Sequence, residues 1–347
     1  MGFFYYIAMQ EITYSTNKKS TTSIHFTYDK RFFMELAGDR RTAIITSGNI
    51  TKSYPEIFEG QNVIVIDDKE YHKNLATIEE IASKLLLLGF DRHSFIIGIG
   101  GGIVCDIAGF VSHIYMRGLR FGLIPTTLLA MSDAAIGGKN GVNFGENKNM
   151  LGCFDNPDFI IADSSFVQTL PKEQYLSGLG EIIKYALIGN ENILNILQNE
   201  REKILNRDNE TVNRLVKESI LTKVQIVEND PNDTSTRHIL NFGHTIGHSI
   251  ELTEKLPHGM AVVKGMNAAV DLSERLGLLA HDKAMEAKKL LTDFGYDIMY
   301  NLSETHFNIL CHDKKKEDSQ IRFVLLEDIG KPVIKKLPIE QIPALIG

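Results

Sequence analysis

The chain has 347 residues, of which 43% are hydrophobic and 23% charged, a composition that excludes intrinsic disorder. At roughly 100 to 200 residues per domain the length suggests two domains, and 37 basic against 44 acidic residues, a net charge of −7, give no general field for nucleic acid or an anionic membrane. Any anionic ligand therefore needs a local basic pocket. Cys105, Cys153 and Cys311 are odd in number, far apart and free of a CxxC spacing. Neither a disulfide framework nor a thiolate zinc site is expected, and a reducing cytoplasm fits. No apolar run approaches the ~20 residues of a bilayer-spanning helix.

The opening MGFFYYIAMQ is apolar but short and lacks a basic flank, so it reads as a disordered or strand-like start rather than a leader. From about residue 42 to 163, the runs TAIITS, NVIVID, SFIIGIG, FGLIP and DFIIAD predict buried strands. Between them TIEEIASKLLLLG and IVCDIAGFVSHIY carry apolar residues at spacings of three and four, as in helices covering a parallel sheet. An α/β nucleotide-binding layer follows. After about residue 165 helical patterns take over, in YLSGLGEIIKYALIG, NRLVKESILTKVQIVEN, the stretch after NFGH, and MAVVKGMNAAVDLSERLG. The boundaries read from this are 1–165 for the α/β domain and 166–347 for a helical domain. A late pair, RFVLLEDIGKPVIKKL, predicts a small hairpin turning at Asp328-Ile329-Gly330.

Glycine is the compositional anomaly. Of 28 glycines, 12 fall between Gly98 and Gly152, where an even spread gives about 4, and such density suggests backbone approaching a ligand. SFIIGIGGGIVCDIAGF is a strand feeding a glycine run and then a helix, which aims free N–H groups at a phosphate. The register is not GxGxxG, since Ile103 and Cys105 occupy the sixth positions, so the usual dinucleotide fingerprint is absent; a tight, closely packed turn is the competing explanation. In the next stretch, IPTTLLAMSDAAIGGKNGVNFGENKNMLGCF, paired threonines, an Asp, lysines and asparagines sit among glycines where no regular element is expected. They read as ligand-facing groups in a segment that Ile136, Val142, Met150, Leu151 and Phe154 partly bury.

In the helical half, LNFGHTIGHSIELTEKLPHGM gathers three of the eleven histidines. His244 and His248 lie four apart on one helical face, where they can share a metal or divide into ligand and acid/base, and His258 can complete a site after the Leu256-Pro257 turn. Packing or surface placement is the plainer alternative. Upstream, Glu181 sits in SGLGEIIKYA; two His plus one Glu leave open positions on a divalent ion, the pattern of a catalytic site. A surface ion pair with Lys184 would explain Glu181 equally. Lys223 interrupts an apolar stripe of Val216, Ile220 and Val227, so its head is expected to reach inward unless it snorkels.

The order of GGGIVCDIAGF, YMRG, PTTLLAMSDAAIGGKNGVN, KNMLGCF, LPKEQYLSGLGEIIKYA, NFGHTIGH and HG resembles the 3-dehydroquinate synthase family from about Asp68 to Gly330. The resemblance implies a Rossmann-like N-terminal domain with bound NAD, a helical C-terminal domain holding zinc or cobalt, and a homodimer. It implies metal ligands at Glu181, His244 and His258, with His248 as a proton-transfer group. It implies NAD contacts at Asp68, Glu70, Lys73, Gly101, Gly102, Asp106, Thr126, Thr127, Lys139, Lys148, Phe166 and Thr169, with Asp133 also in the site. Substrate groups would fall to Lys139, Asn149, Lys184, Lys223, Arg237, Asn241 and Lys314, and Arg117 of YMRG would reach across the dimer. The implied reaction converts a phosphorylated seven-carbon keto acid into a carbocycle by transient oxidation, β-elimination of phosphate, re-reduction and aldol closure. Departures from the pattern are Met260 where Glu usually follows HG, Ser47 where Asp or Asn often meets the adenosine ribose, Lys69, Cys105, Ala134-Ala135 and Asn140. Competing expectations are a cyclase acting on another heptulose, a metal-dependent polyol dehydrogenase, and a non-catalytic relative.

Overall fold

The computed structural model describes residues 10–17, 20–312, 316–317 and 320–346; the first nine residues of the apolar opening lie outside that description. The chain divides into two compact units, 1–169 and 170–347.

The first unit holds β1 (Gln10–Asn17), β2 (Ser20–Phe26), α1 (Phe33–Ala37), β3 (Thr42–Ser47), α2 (Gly48–Ser53), β4 (Asn62–Ile66), α3 (Leu75–Leu87), β5 (Phe95–Gly100), α4 (Gly102–Ile114), β6 (Arg120–Pro125), β7 (Lys139–Phe144), β8 (Asn147–Phe154) and β9 (Phe159–Ala162). Seven strands form one sheet in the order β1-β2-β9-β6-β5-β3-β4, parallel throughout except for the antiparallel edge pair β1-β2. The five predicted strands β3, β4, β5, β6 and β9 are all present. All six residues of β5 are buried, which is why its sequence is continuously apolar rather than alternating: an inner parallel strand has no wet face. α4 covers it with Val104, Ile107, Ala108 and Val111, none more than 0% exposed. α3 starts where the Asn74 side chain accepts the Thr77 N–H, a standard N-cap, and buries Ile78, Ile81 and Leu85.

Three features differ from the sequence expectation. β1 and β2 precede the first strand read from the pattern. The polar stretch after Gly138 is not an irregular loop but an antiparallel hairpin, with Gly141 opposite Gly152 and Val142 opposite Leu151. Its alternation turns Asn140 and Val142 inward while Lys139 points to solvent. Met150 and Phe154, expected to be partly buried, are 41% and 54% exposed.

The second unit holds α5 (Lys172–Leu187), α6 (Glu191–Asn199), α7 (Arg201–Leu205), α8 (Asn209–Asn229), α9 (His244–Glu254), α10 (His258–Arg275), α11 (His281–Asp293), α12 (Glu304–His312), β10 (Lys316–Glu317), β11 (Gln320–Asp328), β12 (Lys331–Pro338) and α13 (Ile342–Ile346). It is the helical half expected, with a three-stranded antiparallel sheet added. β11 and β12 are the predicted hairpin, closed by Asp328 opposite Lys331. α10 lies at the centre, against α5, α9, α11 and β11, and its Val262, Val263, Met266 and Val270 are fully enclosed.

Candidate active site

In the first unit β5 delivers the glycine run to the start of α4. The four glycines serve two purposes. A Cβ on Gly98 would fall 2.7 Å from Ala108 Cβ, and one on Gly100 would fall 2.6 Å from Val104 Cγ2, so these two allow α4 to lie close on the strand. Gly101 and Gly102 form the N-cap and first residue of α4, where unsatisfied N–H groups and the helix dipole favour an anion. Thr126 follows β6, and its N–H donates to the Gly100 carbonyl at 2.8 Å. Its hydroxyl is buried with no hydrogen-bond partner among the described residues, as is that of Ser47 at the end of β3. Two unsatisfied hydroxyls at the carboxyl ends of strands flanking β5 fit a ligand seated where open parallel sheets hold dinucleotides.

Beside this loop, Lys73 is 4% exposed and its ammonium contacts the Asp106 carboxylate and Asn149 Oδ1, the latter at 2.5 Å. Asn149 is held at a left-handed φ of 49° and its N–H donates to Asn143 Oδ1 at 2.8 Å. Asn143 in turn donates to Glu70 Oε1 at 2.8 Å. The structure thus gathers Glu70 and Lys73 from one turn, Asp106 from α4 and Asn149 from β8. Thr127 caps the following turn by accepting the Ala130 N–H at 3.1 Å, and half-buried Asp133 lies in that turn. Asp68 is half-buried, and Lys139, Lys148, Thr169 and Arg117 are exposed. Arg117 and Met116 both have positive φ, 68° and 48°. Phe166 is 1% exposed; its ring packs edge-on to Tyr54 at 4.8 Å under the Lys30 ammonium, so it forms part of the wall.

In the second unit Glu181, on α5, is fully buried. Its Oε1 lies 3.4 Å from His244 Nε2 and 3.4 Å from His258 Nε2, while its other oxygen contacts the Lys184 ammonium one turn on. His244 and His258 are the first residues of α9 and α10, so two positive helix ends converge on one carboxylate. His244 Nδ1 is 3.2 Å from the Phe242 carbonyl and must donate to it, which leaves the Nε2 lone pair facing Glu181. Burial holds the His244 pKa well below its ordinary value, so the ring is neutral. For His258, burial acts downward, but the carboxylates of Glu181 and Glu251 outweigh it and push the pKa up to about 10; proton and cation compete for this nitrogen. One carboxylate and two imidazole donors within 4.8 Å of one another suit a divalent ion with open coordination positions. His248, half-buried, completes a triangle of rings with centroids 5.4 Å from His244 and 6.0 Å from His258.

Three further cations are enclosed in this unit: Lys184 at 1%, Arg237 at 2% and Lys223 at 7% exposure. Lys223 does not snorkel to solvent. Asp230, at the end of α8, accepts the N–H groups of Thr234, Ser235 and Arg237 at 2.9, 2.6 and 3.0 Å, and Arg237 Nη1 donates to the Pro231 carbonyl at 3.0 Å. Asn241, half-buried, ends the following turn. Lys314 lies outside the described residues. Sequence reasoning missed Asp230 and Glu251, whose Oε2 is 2.9 Å from His258 Nδ1. Glu251 follows His248 by three positions, and that helical spacing was the available signal.

The fold, an α/β unit followed by a helical unit, is the architecture of known cyclases. A 2-deoxy-scyllo-inosose synthase solved with carbaglucose-6-phosphate, NAD+ and Co2+ superposes with a TM-score of 0.86 at 23% identity, covering 97% of this chain and 99% of that one. A 2-epi-5-epi-valiolone synthase from Streptomyces hygroscopicus, solved with NAD+ and Zn2+, gives 0.86 at 24% identity over 95% and 97%. Family models for the 3-dehydroquinate synthase N-terminal and C-terminal regions match residues 63–177 and 178–316. The 3-dehydroquinate synthase of Dictyoglomus thermophilum is 38% identical over 83% of both chains, and that of Campylobacter concisus 39% identical over 79% of both. The chain belongs to the 3-dehydroquinate synthase family.

Proposed function

We propose that this chain is a phosphate-eliminating lyase that converts 3-deoxy-D-arabino-heptulosonate 7-phosphate to 3-dehydroquinate, a step of the shikimate pathway to aromatic amino acids. The observation that carries the reading is the Glu181 carboxylate oxygen facing His244 Nε2 and His258 Nε2 in a chain whose relatives over most of their length bear this activity. When bound at these residues, a divalent zinc or cobalt ion would supply Lewis acidity to a substrate hydroxyl, and NAD a transient hydride acceptor.

The chain's own residues supply the rest. Gly101 and Gly102 at the start of α4, with Thr126, Thr127, Lys73 and Asp106, would seat the dinucleotide, with Asp68, Glu70, Lys139, Lys148, Phe166 and Thr169 around it and Asp133 nearby. Lys184, Lys223 and Arg237, already withdrawn from water, would bind the substrate's carboxylate and phosphate with Asn149, Asn241, Lys139 and Lys314, because charge-assisted hydrogen bonds are strongest where solvent is excluded. Three enclosed cations favour a substrate that carries a carboxylate as well as a phosphate. His248 would move protons during elimination and ring closure. The protein would act in the cytoplasm as a homodimer, with Arg117 reaching the partner copy; no helix among the described residues is long and apolar enough to cross a membrane.

Incubation of the purified protein with the heptulosonate phosphate, NAD and Co2+ should release inorganic phosphate without accumulating NADH, and a chelator should abolish release. Net NADH production would identify a polyol dehydrogenase instead. No phosphate release with both cofactors present would overturn the proposal.

A further inference from the structure

The geometry points to Glu251 as a positioning residue that fixes the ring of His258 and thereby sets metal affinity. It rests on reading Glu181, His244 and His258 as the metal seat. His258 stands at the very start of α10, where one turn of backbone anchors it on one side only. Its imidazole faces a carboxylate at each nitrogen, but only one side is hydrogen-bonded: Nε2 lies 3.4 Å from Glu181 Oε1, and Nδ1 lies 2.9 Å from Glu251 Oε2. Glu251 projects from α9, two turns after His244, so a single helix carries one ligand and the group that orients another. Its side chain is 12% exposed, and a carboxylate so enclosed holds its hydrogen bond with little competition from water.

A carboxylate accepting from Nδ1 fixes the tautomer, leaves Nε2 as the donor atom and raises its basicity. Position 260, on the same turn of α10 as His258, is methionine, whose thioether is a weak acceptor. Orientation of His258 therefore depends on a different helix. Glu251 also lies, with His248 and His258, in a second triplet whose ligand atoms are within 4.8 Å of one another, so the alternative is that Glu251 binds an ion itself. The separation of 2.9 Å between Nδ1 and Oε2 is that of a direct hydrogen bond, which favours the positioning role.

The test is equilibrium dialysis of the full chain against Co2+, with absorption spectra of the bound ion, for wild type, Glu251→Gln and Glu251→Ala. Wild type should take up one equivalent. Glu251→Ala should bind roughly 10- to 100-fold more weakly. Glu251→Gln, which keeps an acceptor without the charge, should fall between and shift the Co2+ absorption band. Melting of the variants without metal should stay close to wild type; if the alanine variant does not fold, the glutamine variant carries the comparison. Unchanged affinity and spectrum would overturn the proposal while leaving the metal seat standing. Uptake of two equivalents by wild type and one by Glu251→Ala would make Glu251 a ligand and overturn it as well. No uptake by wild type would overturn the metal seat and this inference together.

Discussion

Gly259 and Ser177 lock the start of α10 to α5: the Gly259 N–H donates to Ser177 Oγ at 3.0 Å, and a Cβ at 259 would lie 1.8 Å from the Ser177 carbonyl oxygen. This contact sets the distance between His258, one residue earlier, and Glu181, one turn along α5. Gly259→Ala cannot be absorbed by a flexible side chain because the obstruction is backbone. It should cost about 1–3 kcal/mol of stability by overpacking and move His258 away from Glu181. Denaturant unfolding and metal uptake on the same preparation check both effects; Ser177→Ala should show the milder loss of one hydrogen bond.

Glu181 and Lys184 are both almost fully enclosed. Glu181→Gln should abolish metal uptake, and it also withdraws the negative charge beside a buried ammonium. Breaking a buried pair from one side costs on the order of 3 kcal/mol. Urea unfolding of Glu181→Gln and of Glu181→Gln/Lys184→Met separates the effects: the double variant should recover part of the stability but none of the metal binding.

Asp230 gives a pH signature. Burial opposes its charge, but the N–H groups of Thr234, Arg237 and Ser235 outweigh burial and hold the carboxyl below its ordinary range. A depressed folded pKa contributes stability that is whole above the unfolded carboxyl's value of about 4 and is lost as pH falls through the acid range below it. Wild type should therefore melt higher than Asp230→Asn at neutral pH, with the gap closing below about pH 4. A gap independent of pH would assign the effect to packing alone.

Lys73 joins Asp106 to Asn149 at the glycine turn. Lys73→Met should weaken NAD binding by about tenfold or more, the worth of one charge-assisted hydrogen bond, while metal uptake stays unchanged. Calorimetric titration with NAD, and with Co2+ as the control, reads both.

The parallel sheet was legible because an inner strand such as β5 is apolar at every position, and the meeting of Glu181, His244 and His258 because all three stand in distinctive local motifs. The hairpin β7-β8 was not, because Gly, Asn and Lys are poor strand formers and only the ladder Asn140–Cys153 to Val142–Leu151 shows why they pair. The glycine run was half legible. Its density marked the turn, but Gly98 and Gly100 pack helix on strand, a role that no count distinguishes from ligand approach. Asp230 and Glu251 escaped because each acts on a neighbour's orientation, a relationship that appears only once α8, α9 and α10 are folded.

The convergence of two helix starts on Glu181 has an electrostatic consequence. Both helices direct partial positive charge at the point where the proposed cation would sit, so the frame by itself suits an anion. On the proposed reading, Glu181 and Glu251 would turn a frame suited to an anion towards a cation held with His244 and His258, and the background field of the two helix starts would remain available to negative charge that develops on a ligand beside the ion.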